Sequence, residues 1–98
     1  MKKEPFNKNV PITILPGGAG QSYSAAQRRK IQQVIKNELL IPSMEPYHKV
    51  QVEVKHEPGG KPEALIVSML RANTYTADIV KVNVDEDLSV KSIERSQT

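Results

Sequence analysis

Three glycines, Gly17, Gly18 and Gly20, lie between a short apolar run and a basic segment, in the stretch ILPGGAGQSYSAAQRRK (residues 14–30). Glycines at such a junction can let the backbone approach a phosphate, which the amides and positive end of the following helix then bind. The spacing fits only in part, because Tyr23 occupies the third glycine position of the dinucleotide fingerprint and no Gly-Lys-Ser/Thr sequence occurs. The sequence therefore favours a flexible corner between a strand and a helix over a phosphate site.

Four cations follow these glycines, at Arg28, Arg29, Lys30 and Lys36. The first three fall in the first turns of a predicted helix, where the macrodipole disfavours positive charge by about 0.3–1 kcal/mol each. With Tyr23 available to stack on a base, the group would suit a polyanion or a single-stranded nucleic acid. The chain has only one Phe, three Tyr and no Trp, and it has no RNP or G-x-x-G element, so the sequence favours a solvated helix face.

Two histidines, His48 and His56, are the first candidates for metal ligands. If both lie on one strand, eight residues separate them by about 26 Å, which is too far for two ligands of one ion. The acidic run of Asp85, Glu86 and Asp87 lacks the glycine and the distal glutamate of an EF-hand loop. We therefore predict no metal site, and a solvated turn at the acidic run.

Nucleophilic catalysis has little support in the chain, which has no cysteine and no G-x-S-x-G sequence. A thin aliphatic core also offers few places to desolvate a carboxylate pair and tune its pKa values. We predict neither an enzyme nor a cofactor.

The length and composition predict a single thin domain. A chain of 98 residues buries only about two thirds of its unfolded surface. The polar residues 1–9 are predicted to be a mobile segment, and residues 10–98 to form one α+β domain. The apolar run in residues 10–15 is too short for a signal-peptide core or a membrane span, and the compartment stays unassigned.

The formal net charge of +3 is unevenly distributed. The first fifty residues carry eight Lys and Arg against three Glu, a net charge of +5, so the other 48 residues carry −2. This dipolar arrangement is as compatible with self-association or a protein partner as with nucleic acid.

The amphipathic segment Ser24–Ile41 is predicted to form the helix. Ser24 and Gln27 have the spacing of a capping box. Its apolar stripe consists of Ile31, Val34, Ile35 and Leu39.

Strands are predicted before and after this helix. The run VPITIL is predicted as a short edge strand, because Pro11 cannot donate to a ladder. From Tyr47 onward the period becomes two, in KVQVEVK, ALIVSML, IVKVNV and LSVKSI. The ALIVSML segment has apolar residues on both faces, which is typical of a central strand.

The order of elements resembles the cystatin-like arrangement, in which one helix packs on a curled antiparallel sheet of three to five strands. The resemblance rests on residues 24–41, on KVQVEVK and ALIVSML around PGGKP, and on ADIVKVNVDEDLSVKSIE. The last segment also looks like PepSY modules and the small N-terminal domains of copper amine oxidases. The Q-x-V-x-G loop of cystatins is missing, because the hairpin reads HEPGGKP, and no Pro-Trp pair, copper site or quinone-forming tyrosine motif occurs.

One helix can cover only one face of a sheet, which leaves Ile66 and Leu70 on the other face in need of a cover. We therefore expect a non-catalytic binding or assembly module that contacts a protein partner or forms a homodimer through this face. The first alternative is polyanion or single-stranded nucleic-acid binding through Arg28, Arg29, Lys30 and Lys36. The second is protease inhibition through the HEPGGKP hairpin.

Overall fold

The computed structural model describes residues 7–15 and 23–95, so Gly17, Gly18 and Gly20 lie outside the described residues. The elements are β1 (Ile12–Ile14), α1 (Ala25–Ile35), a π-helical turn (Lys36–Leu40), β2 (Tyr47–His56), β3 (Pro62–Arg71), β4 (Ala77–Val84) and β5 (Val90–Arg95). The strands lie side by side in sequence order, which makes β3 the central strand, as predicted. The α+β class is confirmed.

The sheet is mixed, so the prediction of an antiparallel sheet was wrong for β1. This strand pairs with β2 in parallel, with Ile12 opposite Val50 and Ile14 opposite Val52, while the other three pairings are antiparallel. The chain passes through α1 between β1 and β2, and such a crossover lets consecutive strands enter the sheet in the same direction. β1 is an edge strand directly after Pro11, as the proline predicts.

Helix α1 begins at the predicted capping box. The Gln27 backbone N–H donates to Ser24 Oγ at 3.1 Å, and the Ser24 backbone N–H donates to Gln27 Oε1 at 2.9 Å. Two orphan amides of the first turn are thereby satisfied, which sets where the helix starts. In the described part of the chain, no helix has the length and apolar character that crossing a membrane requires.

The predicted apolar stripe is buried, and one more residue joins it. Ile31, Val34, Ile35 and Leu39 are all at most 8% exposed. Beyond Ile35 the helix widens into the π-helical turn, whose end is marked by the Ile41 N–H donating to the Lys36 carbonyl at 2.9 Å. The wider turn rotates the following residues, so Leu40 is buried beside Leu39.

The helix covers one face of the sheet, here called the inner face. Its residues alternate along each strand, as period-two patterning requires. They are Ile12, Ile14, Val50, Val52, Val54, Leu65, Val67, Met69, Val80, Val82, Val84 and Ile93. The valines and leucines of β2, β3 and β4 in this set are at most 4% exposed, so the core is one continuous layer between α1 and the sheet.

The β2–β3 and β4–β5 turns share one hydrogen-bonding pattern. The Gly60 N–H donates to the Glu57 carbonyl at 2.8 Å, and the Leu88 N–H donates to the Asp85 carbonyl at 3.0 Å. Both fourth residues have positive φ, 91° at Gly60 and 64° at Leu88. Glycine adopts this conformation without strain. The backbone of Leu88 is strained there, and its side chain is buried in the core, at 4% exposure.

A buried asparagine joins the chain before β1 to the end of the helical segment. Asn7 is 1% exposed, and its Nδ2 donates to the carbonyls of Leu40 and Glu45, both at 2.9 Å. Its Oδ1 accepts from the Tyr47 N–H at 2.9 Å. Residue 7, predicted as part of the mobile segment 1–9, is thus fixed at three points, and residues 1–6 lie outside the described residues.

Candidate functional site

The face of the sheet opposite α1, here called the outer face, is the leading candidate. The pairing registers define four outward rows across β2, β3 and β4. One of them, Lys55–Ala64–Asn83, has no apolar residue larger than alanine. The other three are Glu53–Ile66–Lys81, Gln51–Ser68–Ile79 and Lys49–Leu70–Ala77. Ile66 and Leu70 are the two residues that were predicted to need a cover. They lie on β3, at the centres of the first and the third of these three rows, and are half-buried.

A third apolar residue, which the sequence analysis did not select, lies on the same face. Ile79 of β4 is 40% exposed, one of the more exposed large apolar side chains in the described residues. It is adjacent to Ser68 in the middle row, between the levels of Ile66 and Leu70. The period of two in IVKVNV puts Val80 and Ile79 on opposite faces of β4, so the sequence already held a signal for Ile79.

Charged side chains surround this apolar centre. Glu53 and Lys81 flank Ile66, while Lys49 flanks Leu70. On β5, Glu94 lies opposite Lys81 at 4.0 Å and accepts a hydrogen bond from Asn83 Nδ2 at 2.7 Å. An apolar centre with a polar rim is the arrangement that protein–protein contacts use.

A polar cluster occupies the inner face at the end of the sheet where β2 begins and β3 ends. Tyr47 donates to Asp78 Oδ2 at 2.6 Å, and Arg71 donates to both carboxylate oxygens, from Nε at 3.2 Å and from Nη2 at 2.9 Å. These hydrogen bonds from Arg71 and Tyr47 lower the pKa of Asp78 below its usual value. The carboxylate is therefore held in its charged form and is a poor general base at neutral pH.

Glu45 extends this cluster into the loop before β2. Its carboxylate lies 3.7 Å from Arg71 Nη1, and the backbone of the same loop receives a hydrogen bond from Ala72 to the Pro46 carbonyl at 2.9 Å. The cluster thereby connects the two loops at this end of the sheet. We interpret it as a structural element that fixes this end of the sheet rather than as a reactive site.

The four cations of the alternative anion site do not converge. Arg29 and Lys36 are seven residues apart on the outward side of the helical segment, whereas Lys30 lies on a flank, where it lines a groove with Glu86 and Asp87 of the β4–β5 turn. Arg28 Nε donates to the Tyr23 carbonyl at 3.2 Å just before the helix. The cations are therefore spread around the helix, and one of them faces acidic residues.

Tyr23 contacts a protein ring. It stacks on His56 with ring centroids 5.9 Å apart and an interplanar angle of 4°. Its hydroxyl is buried without a hydrogen-bond partner, and burial raises its pKa. The geometry therefore does not support the idea that this ring is available to stack on a base.

The remaining candidates lie apart from one another. His48 and His56 are near opposite ends of β2, and His48 Nδ1 is 3.1 Å from the Arg71 carbonyl oxygen. Asp85 Oδ1 accepts from the backbone N–H groups of Asp87 and Ser89, which organises the acidic turn. Across residues 7–15 and 23–95, no three His, Asp or Glu side chains are grouped so that they could hold a metal ion.

The HEPGGKP hairpin of the protease-inhibitor alternative is a tight turn. The Glu57 N–H donates to the Lys61 carbonyl at 2.9 Å, which closes the loop around Pro58 and Gly60. All five residues of this turn are solvent-exposed, but none of them is a large apolar residue that would fill a protease subsite.

No protein-family model, curated protein or solved structure matches the chain. The resemblance to cystatin-like and PepSY-like modules stays a prediction.

Proposed function

We propose that this chain is a non-catalytic binding module that contacts a protein through the outer face of its sheet. The observation that carries the proposal is the outward position of Ile66, Leu70 and Ile79 on two adjacent strands, β3 and β4. In the described part of the chain, the single helix packs on the inner face and none of its residues covers these three side chains. Such a patch on rigid strands is typical of an interaction surface.

The surroundings of the patch support a binding role. Strands hold side chains more precisely than loops, so ordering the patch on association costs less than ordering a loop would. The charged rim of Glu53, Lys81 and Lys49 would keep the separate chain in solution and orient the partner. Among the described residues, Asp78 is the carboxyl with a clearly lowered pKa, and its hydrogen bonds from Arg71 and Tyr47 hold it in the charged form, which supports a non-catalytic assignment.

Site-specific photocrosslinking in the source organism tests the proposal. Ile79 is replaced by benzoylphenylalanine, and this substitution keeps an apolar side chain at position 79 of the outer face. The matched control carries the same residue at Gln32, an exposed position on α1. We expect crosslinked protein from position 79 and little from position 32. Equal yields from both positions, or no product from position 79, would refute binding through the outer face.

A further inference from the structure

We infer that the partner on the outer face is a second copy of this chain, related by a two-fold axis that crosses the strands at Ser68. The inference rests on the proposed function and specifies its partner. A two-fold interface needs a surface that is complementary to itself, so the test of the idea is whether the three rows match when the face is turned onto its own copy.

The rows match in their apolar residues. An axis through the middle row places the Ile66 row of one copy on the Leu70 row of the other. Ile66 then meets the partner's Leu70, and Ile79 meets the partner's Ile79 across the axis. Every outward apolar side chain of β3 and β4 larger than alanine thereby gains an apolar neighbour.

The rows also match in charge. Glu53 lies on β2 at the level of Ile66, and Lys49 lies on the same strand at the level of Leu70. The two-fold rotation that joins these levels brings Glu53 onto the partner's Lys49, and the contact occurs twice because of the symmetry. Lys81 meets the partner's Ala77, which places no cation against another cation.

An axis along β3 gives a poorer match. It would pair Glu53 with the partner's Lys81, but it would place Ile79 on the partner's Gln51. Because Ile79 is the most exposed of the three apolar residues, the axis through Ser68 leaves less apolar surface against polar groups.

The size of the face indicates the class of interface that the two copies would form. The five strands are 3 to 10 residues long, and at about 3.3 Å per residue and about 4.8 Å between strands they present roughly 600 Å² per copy. Two copies would then bury roughly 1,200 Å² in total, at the lower end of specific interfaces. We expect a reversible dimer with a dissociation constant in the micromolar range.

Sedimentation equilibrium of charge variants tests both the partner and the register. Glu53→Lys turns each attractive contact with the partner's Lys49 into a repulsive one, so we expect the dimer to weaken at least tenfold. The control Glu38→Lys makes the same charge change at an exposed position on the helical side, and we expect it to dimerise like the unmodified chain. The double variant Glu53→Lys/Lys49→Glu should recover dimerisation to within threefold, because the swap restores both contacts.

Other outcomes overturn the inference in distinguishable ways. Recovery by Glu53→Lys/Lys81→Glu in place of the Lys49 swap would overturn the axis through Ser68 in favour of one along β3. A concentration of about 1 mM is well above any micromolar dissociation constant. An unmodified chain that stays monomeric at that concentration would overturn the second copy as partner. A photocrosslink from position 79 to a different protein would leave the proposed function standing while the dimer fails. Circular dichroism of each variant establishes that the exposed substitutions leave the fold intact.

Discussion

Asn7 gives the sharpest test of how the fold is held together. Its side chain connects the residues before β1 to the Leu40 and Glu45 carbonyls and to the Tyr47 amide, across 33 to 40 positions of sequence. Replacement by alanine removes all three hydrogen bonds at once. It also leaves the Tyr47 N–H without this acceptor at a residue that is 8% exposed.

The magnitude follows from the hydrogen-bond count. Each bond contributes about 1 kcal/mol net, so Asn7→Ala should lower the free energy of unfolding by about 3 kcal/mol. The Leu40 carbonyl also accepts from the Ser43 N–H at 3.2 Å, which keeps the loss from rising far above that sum. For a domain of this size, about 3 kcal/mol corresponds to a fall in Tm of about 12 °C or more.

Urea unfolding followed by circular dichroism measures the change. Asn9→Ala is the matched control, because residue 9 is exposed two positions along the same segment, and it should alter stability by less than about 0.5 kcal/mol. Asn7→Asp keeps an acceptor for the Tyr47 amide but places a carboxylate against two carbonyls, so it should destabilise at least as much as alanine at pH 7. Equal unfolding midpoints for Asn7→Ala and Asn9→Ala would refute the structural role of this side chain.

Three further predictions concern buried and strained groups. Tyr23→Phe removes a buried hydroxyl without a partner and should leave the free energy of unfolding unchanged or raise it by up to about 1 kcal/mol. Tyr47→Phe loses the 2.6 Å hydrogen bond to the Asp78 carboxylate and should lower it by about 1.5–3 kcal/mol. Chemical denaturation of both variants checks this order, and the reverse order would contradict it. Leu88→Gly and Leu88→Ala both lose core packing, but the positive φ of Leu88 should make the glycine variant the more stable of the two. This is the reverse of the usual order for these two residues. A Tm of the alanine variant equal to or above that of the glycine variant would show that the turn is unstrained. The pKa of Asp78 is lowered in the folded state, so its contribution to the stability of the fold is present above the unfolded-state pKa of about 3.9 and is lost as the pH falls through the folded-state pKa. Asp78→Asn should therefore flatten the decline of Tm in acid. An unchanged decline would show that this carboxylate is not its cause.

The sequence predicted the parts of the fold that depend on local patterns. The capping box at Ser24, the stripe beginning at Ile31 and the alternation around Val52 were all confirmed, because a cap and a periodic apolar face act within a few residues. The parallel direction of β1 was missed, since nothing in a three-residue strand specifies the direction of its partner. The π-helical turn that buries Leu40 has no local signal of this kind either.

The candidate site was predicted in part. The outward positions of Ile66 and Leu70 followed from alternation within β3, and the same period of two in IVKVNV held the signal for Ile79. The polar contacts could not be predicted, because Tyr47 and Asp78 are 31 positions apart and meet only through the pairing of three strands. Asn7 was assigned to the mobile segment for the same reason, as its partners lie at least 33 positions away.

Hydroxyl-radical footprinting tests most directly whether the outer face is a binding surface. The purified chain, kept dilute, is compared with the same chain labelled inside its own cells, and oxidation is read at each residue by mass spectrometry. If a partner covers the outer face, Ile66, Leu70 and Ile79 lose reactivity in cells while Met44 and Tyr75, which are 87% and 105% exposed, keep theirs. Unchanged reactivity of the three outer-face residues, with Met69 of the core protected in both samples, would contradict binding through this face.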